Sequence, residues 1–478
     1  MYLRDRDQQT ICAVSTPHGV GGISVIRVSG PNTLNIVKKS CPFLPANPES
    51  HRIYFGTFVD HDQYKIDEVL CSYFKKGNSF TGEEVIEISC HGSPTICDQI
   101  IQTLILFGSV AAERGEFTYR AFLNGKLDLI QAESVLSLIE SQSKSSAQLA
   151  LRQLKGELSN YILKIEDKLT WVLAHIEAGI DFSTEGIDVV DHQLMIEKLI
   201  ECQKDVIQLT KTYSDGKLIS DGFKIVLAGQ PNVGKSSLLN SFLEEQRAIV
   251  TNIAGTTRDT IHGDTQFRGF KFTFIDTAGL RDQSQDEVEK IGIERSYAAL
   301  QDCDAILFVY DFNLGLTEKD FEILNQLHPN KTLILANKTD LSGSAEFESH
   351  KNLLRQKLQE STFYKNAIDF NQLIETKLFF VSALDHKTRD TVLGFLSAEV
   401  EKNKVENTVF ISHSRHFENL VRAEKNIQQS VNLIQQGLGA EFVALELKEA
   451  LIGIHEVLGK RFDDQIMDRV FKEFCIGK

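Results

Sequence analysis

Residues 224–237 read KIVLAGQPNVGKSS, and the fold of the chain turns on this stretch. KIVLA has the apolar, β-branched composition of a buried strand, and SLLNSFL (Ser237–Leu243) reads as a helix. Between them Gly229, Gly234, Lys235 and Ser236 satisfy G-x-x-x-x-G-K-[ST]. A glycine-rich turn running into a helix aims backbone N–H groups at an anion, at the helix end whose dipole favours negative charge. Lys235 adds a point charge for β- and γ-phosphates, and the Ser236 hydroxyl is a magnesium ligand by type. The phosphate-binding set is therefore Asn232, Val233, Gly234, Lys235, Ser236 and Ser237.

Downstream, KFTFI, AILFVY, TLILA and LFFVS alternate with helical segments, the pattern of a doubly wound α/β sheet. Each of three further motifs follows one of these strands. DTAG (Asp276, Thr277, Ala278, Gly279) puts a carboxylate at a strand end, where it can hold magnesium through water, and a glycine that can approach a γ-phosphate. NKTD (Asn337, Lys338, Thr339, Asp340) supplies an Asp340 carboxylate that can accept two N–H bonds from guanine, a pair that adenine does not present. SAL (Ser382, Ala383, Leu384) offers a backbone N–H to the guanine oxygen. Their order is that of a Ras-like GTPase.

The hydrolytic machinery departs from that pattern. Leu280 stands where a water-orienting glutamine is expected. Asp286, Glu287 and Glu289 are acidic replacements, or else the acid-rich start of a solvated helix. Arg258 and Arg281 are possible arginine fingers without being evident ones. Charge developing on the phosphates can instead be met by a monovalent cation. Asn232 could offer it a side-chain oxygen and IVTNIAGTTRD backbone carbonyls.

With 478 residues the chain exceeds one ordinary core, and its −15 formal charge argues against binding nucleic acid or anionic membrane by bulk attraction. Eight cysteines without C-x-x-C or zinc spacing read as free thiols in a reducing compartment. The charged MYLRDRDQQT is not a signal segment, and IIQTLILFG is too short to span a bilayer. Residues from about 10 to 90 are β-rich, with GGISVIRVSG and EEVIEISCHG as strands. From Leu127 to Phe182 the spacing turns helical and predicts two long amphipathic helices. After Lys402 helical spacing resumes, which suggests an α/β domain inserted into a helical one. The chain ends in FCIGK, whose Cys475 fits a frayed tail, a prenylation signal or a tail reaching back into a site; Gly477 and Lys478 speak against prenylation.

Taken together, TPHGVGGISVIRVSG, FTGEEVIEISCHG, RAFLNGKLDLIQAE, the nucleotide motifs, DTAGLRDQSQDEVEKIGIER and the terminal FCIGK resemble the tRNA-modifying GTPases of the MnmE (TrmE) family, over nearly the whole chain. The resemblance implies an α/β plus all-α architecture. Residues 1–124 would form a β-rich α+β domain that binds tetrahydrofolate and dimerises; 125–220 and 402–478 a helical domain; 221–401 the inserted Ras-like P-loop GTPase domain. It implies a cytoplasmic homodimer working with an FAD-dependent partner, MnmG (GidA), on tRNA. Their product carries an aminomethyl or carboxymethylaminomethyl group on carbon 5 of the wobble uridine. Potassium would be held by Asn232, Thr251, Ile253 and Thr256, and magnesium by Ser236 and Thr257; Thr251, Thr256 and Thr257 would also line the nucleotide. Glu289 would orient the hydrolytic water, Lys235 would serve catalysis, and Arg27, Glu87, Lys126 and Lys478 would contact the folate, with Cys475 beside it for chemistry. Taken by themselves, Arg27 and Glu87 equally read as a cross-strand pair, Lys126 as a solvated turn residue and Cys475 as packing for the last helix.

Three positions depart from the family pattern: Ser93 after HG, Asn252 where aspartate is common, and SALDHKTRD, which lacks the usual glycines. The rival reading is a regulatory or ribosome-assembly GTPase switch without one-carbon chemistry. Neither a KH-type G-x-x-G loop nor an RNP aromatic motif supports it.

Overall fold

The structure, a computed structural model, describes residues 6, 8–182, 191–243, 262–276, 300–341, 346–359, 375–402, 408–461, 467 and 470–478. The chain divides into two compact units, one of residues 1–140, 150–213 and 413–478, the other of 141–149 and 214–412.

The first unit opens with a six-stranded sheet: β1 (Ile11–Val14), β2 (Gly21–Ser29), β3 (Arg52–Val59), β4 (Lys65–Phe74), β5 (Val85–Gly92) and β6 (Val110–Ala111), in the order β3-β4-β5-β2-β1-β6. All pairings are antiparallel except β1 with β6. Alternation decides its faces. Ile26, Val28, Ile86 and Ile88 point to a core closed by Ile36 and Val37 of helix Thr33–Ser40 and by Ile100 and Leu104 of helix Pro94–Leu106. On the opposite face Arg27 stands directly across from Glu87, and Phe55 across from Leu70.

The same unit contains a four-helix bundle. Helix Glu157–Phe182 packs on His192–Thr210 and Ala440–Leu458, and Ser414–Gln435 packs on the same two. Apolar residues three or four apart, such as Ile162, Ile165, Leu169 and Val172, are all buried. The segments before and after the α/β block thus pack together, as the insertion reading requires. In place of two helices after Leu127 there are three, Leu129–Glu140, Lys144–Leu154 and Glu157–Phe182. The breaks have local causes. Ser143 and Ser146 cap one another reciprocally, each hydroxyl accepting the other's N–H at 3.1 Å, and Gly156 takes a left-handed φ of +84°.

The second unit holds β7 (Phe223–Ala228), β8 (His262–Phe267), β9 (Phe270–Asp276), β10 (Ala305–Asp311), β11 (Thr332–Asn337) and β12 (Leu378–Phe380), in the order β12-β11-β10-β7-β9-β8. Every pairing is parallel except β8 with β9. Both faces are covered. Ile225, Leu227, Leu307 and Leu335 meet Leu238 and Phe242 of helix Lys235–Leu243 and Leu393 of helix Lys387–Lys402. Val226, Ile306, Phe308 and Ile334 meet Leu324 of helix Glu318–Leu324 and Leu354 of helix Phe347–Gln359. Strand β8 escaped the sequence reading because HGDTQF carries only one large apolar residue. The hairpin signal was Arg268–Gly269, both at positive φ (+47° and +81°), a two-residue turn that matches strand twist.

Candidate functional site

Two sets of residues are assembled, one in each unit. In the second unit the phosphate loop leaves β7 at Gly229, whose φ of +142° and close approach to the Val309 carbonyl leave no room for a Cβ. Gly234, at φ +97°, lies against the Asn337 amide under the same restriction. Asn232 takes a left-handed φ of +64° and is exposed. Lys235 is buried, with Nζ donating to the carbonyls of Gly229 (2.9 Å) and Gln230 (2.7 Å). Ser236 and Ser237 are exposed in the first turn of the following helix, and Val233 is buried.

NKTD and SAL converge on this loop. Asn337, at the end of β11, donates from Nδ2 to the Val233 carbonyl at 2.8 Å. Lys338 donates to the Asn232 carbonyl at 3.0 Å and pairs with Asp311 at 2.7 Å. Burial pushes the Asp311 carboxyl up, but hydrogen bonds from Lys338 and Asn313 outweigh it and hold the group below the usual carboxylate range. Asp340 accepts the Ser382 hydroxyl at 2.6 Å on Oδ1, which joins NKTD to SAL. Ala383 is half-buried and Leu384 exposed. Asp276 is the last residue of β9, at the same end of the sheet as these loops. Thr251, Asn252, Ile253, Thr256, Thr257, Arg258, Thr277, Ala278, Gly279, Leu280, Arg281, Asp286, Glu287 and Glu289 lie outside the described residues. Sequence reading missed Asp311 and Thr388, which bond the motif residues from outside the motifs.

In the first unit Arg27 donates from Nε (2.9 Å) and Nη2 (2.8 Å) to one oxygen of Glu87. The guanidinium lies 5.6 Å from the Phe80 ring and 5.5 Å from that of Phe117. The cross-strand pair is therefore real, and it is packed between the part-exposed Phe80 and the buried Phe117. Lys126 is exposed and donates to the Gly77 carbonyl in the loop leading to Phe80. The C-terminal tail is docked rather than frayed. Phe117 donates its N–H to the Lys478 carbonyl at 3.3 Å, Ser15 its hydroxyl to Gly477 at 3.0 Å, and Ile476 bridges to Arg114. Gly477 has φ +90° and abuts the Val14 carbonyl, so a side chain there would collide. Arg27, Phe117 and Lys478 thus form one neighbourhood. Cys475 is exposed, whereas the other seven cysteines are buried, and all eight are free thiols.

A third cluster, absent from the sequence reading, ties the helical parts together. Glu133 accepts Arg415 Nε and Nη2 at 2.9 Å each, and His416 Nε2 donates to it at 2.7 Å. Burial depresses His416, to about 4: its Nδ1 is buried without a hydrogen-bond partner, so a proton there would have no acceptor. Burial raises the Glu133 carboxyl, but Arg415 and then His416 overcome it and leave the group strongly depressed.

With the geometry established, comparison with known proteins assigns the family. Residues 129–475 match the family described as MnmE helical domain, and residues 10–126 the one described as GTP-binding protein TrmE N-terminus. The chain belongs to the MnmE family of GTPases. A relative from Bdellovibrio bacteriovorus, tRNA modification GTPase MnmE, is 61% identical and is matched over 100% of this chain and 99% of its own. MnmE proteins of Alkaliphilus metalliredigens and Clostridioides difficile are each 36% identical over the full length of both chains. The MnmE family match spans both units, so the nucleotide loop and the docked tail are parts of one family architecture. Among the described residues no helix is long and apolar enough to cross a membrane, and no cluster of histidine, cysteine and carboxylates could hold a metal ion.

Proposed function

We propose that this chain is a potassium-stimulated GTP hydrolase of tRNA wobble-uridine modification. It acts in the cytoplasm as a homodimer with an FAD-dependent MnmG (GidA) partner to build an aminomethyl-type group at carbon 5. One observation carries the reading: full-length kinship to tRNA modification GTPases coincides with NKTD and SAL motifs joined by the Ser382 hydroxyl donating to Asp340. A carboxylate held this way accepts the two guanine N–H groups and rejects adenine.

Within this reading residues 221–401 are the GTPase domain, 1–124 the folate-binding domain, and 125–220 with 402–478 the helical domain. Ser236 and Thr257 hold magnesium, and Asn232, Thr251, Ile253 and Thr256 hold potassium, which supplies charge in place of an evident arginine finger. Lys235 moves from loop carbonyls to phosphate, and Glu289 orients the water. Arg27, Glu87, Lys126 and Lys478 receive a tetrahydrofolate, a one-carbon carrier when bound. The fit is chemical: cations suit its carboxylates, a carboxylate suits its pterin N–H groups, and Phe80, 39% exposed, offers a ring beside Arg27. Cys475 has an exposed thiol next to that neighbourhood. Support for dimerisation comes from the open sheet face, where Ile53 is 62% and Phe55 66% exposed, an apolar surface that association would cover.

The test is a purified-protein assay in two salts. GTP hydrolysis should rise strongly when potassium replaces sodium, Asn232→Ala should remove the difference, and the protein should retain a tetrahydrofolate. Equal rates in both salts would overturn the potassium role. Failure to bind any folate would favour a GTPase switch without one-carbon chemistry.

A further inference from the structure

SALDHKT turns from β12 into helix Lys387–Lys402 without a glycine. Side chains replace backbone freedom. The Asp385 N–H donates to the Ser382 carbonyl at 3.1 Å, the Lys387 N–H to Asp385 Oδ1 at 2.9 Å, and the Thr388 N–H to the Asp385 carbonyl at 3.0 Å. Thr388, 4% exposed, closes the turn. Its hydroxyl donates to the Ser382 carbonyl at 2.7 Å and accepts the Ser382 N–H at 3.3 Å. Both backbone groups of Ser382 are thus held by one buried rotor. The Ser382 side chain in turn donates to Asp340 at 2.6 Å and accepts the Leu384 N–H at 3.2 Å.

We infer that Thr388 is a positioning residue for guanine recognition. It clips the backbone of Ser382, so that the Ser382 hydroxyl fixes the Asp340 carboxylate and the SAL backbone before nucleotide arrives. The inference rests on the guanine-binding reading above and adds to it the source of the loop's rigidity. A loop ordered in advance loses less entropy on binding, so the clip acts on affinity and on the rate of nucleotide release. Thr388 touches no base atom in this scheme and acts only through Ser382.

The experiment measures fluorescent GDP affinity and dissociation on the full chain, with thermal melting as the control for folding. Thr388→Val keeps the shape and removes the hydroxyl. It should weaken GDP binding about tenfold, mainly through faster release, and Thr388→Ser should recover affinity to within about twofold. Combined with Asp340→Asn, Thr388→Val should cost much less than it does alone, because the group it positions is already altered. Thr388→Val affinity within twofold of the unmutated chain would overturn the inference. So would a lowered melting point with unchanged affinity, a loss that Thr388→Ser does not recover, or strictly additive effects. If the unmutated chain does not bind GDP, the guanine reading itself has failed.

Discussion

The two sheets of this protein are covered differently, and the residues proposed to bind ligands follow the difference. β7, β10 and β11 bury side chains on both faces, so no face is left for a ligand and the motif residues lie at strand ends. The N-terminal sheet buries one face and leaves Arg27, Glu87, Phe55 and Leu70 on the other, partly or largely exposed. The sheet of the second unit is thus a rigid scaffold for loops, whereas the N-terminal sheet offers its surface directly.

The sharpest way to break that contrast is at a strand-end residue. Asp340→Asn should weaken GTP binding by roughly two charge-assisted hydrogen bonds, about 1.5–3 kcal/mol each, as read by nucleotide titration. A change of less than tenfold would remove Asp340 from base recognition.

Next comes a paired substitution. Phe308, fully buried in the doubly covered sheet, should cost about 3–5 kcal/mol when changed to Ala in denaturant unfolding. Phe55→Ala, on the open face, should cost under about 0.5 kcal/mol in fold stability while weakening self-association in sedimentation. Equal losses of stability would mean that the open face is as structural as the closed one.

A smaller effect separates the units by pH. His416 titrates at about 4 in the folded chain against 6.5 unfolded, so between those values the unfolded chain holds the extra proton. Stability of the unit containing it therefore falls as pH drops from 6.5 to about 4, by on the order of 2–3 kcal/mol. Glu133, depressed in the folded state, adds stability above pH 4.5 that is lost below it. His416→Gln, which keeps a donor for Glu133, should flatten the upper part of that slope in thermal melts. An unchanged slope would show that His416 is not its source.

Legibility in the sequence followed the same division. Strands buried on both faces are continuous apolar runs, so KIVLA, AILFVY and TLILA were plain. Strands β3 and β4 alternate, and RIYFGTFV or KIDEVLCSYF carries no such run. The nucleotide motifs are local in sequence and could be read directly. Pairs such as Asp311 with Lys338, Thr388 with Ser382, and Glu133 with Arg415 and His416 join distant segments and are visible only once the chain is folded. The docking of Lys478 on Phe117 is of the same kind, since 361 residues separate them.

The central claim is that this GTPase serves wobble-uridine modification, and mass spectrometry of tRNA nucleosides tests it most directly. Cells lacking the gene should lose the aminomethyl-type substituent at carbon 5 of wobble uridine. The unmutated chain should restore it, and the Asp340→Asn chain should not. An unchanged wobble-uridine profile in the deletion strain would contradict the account.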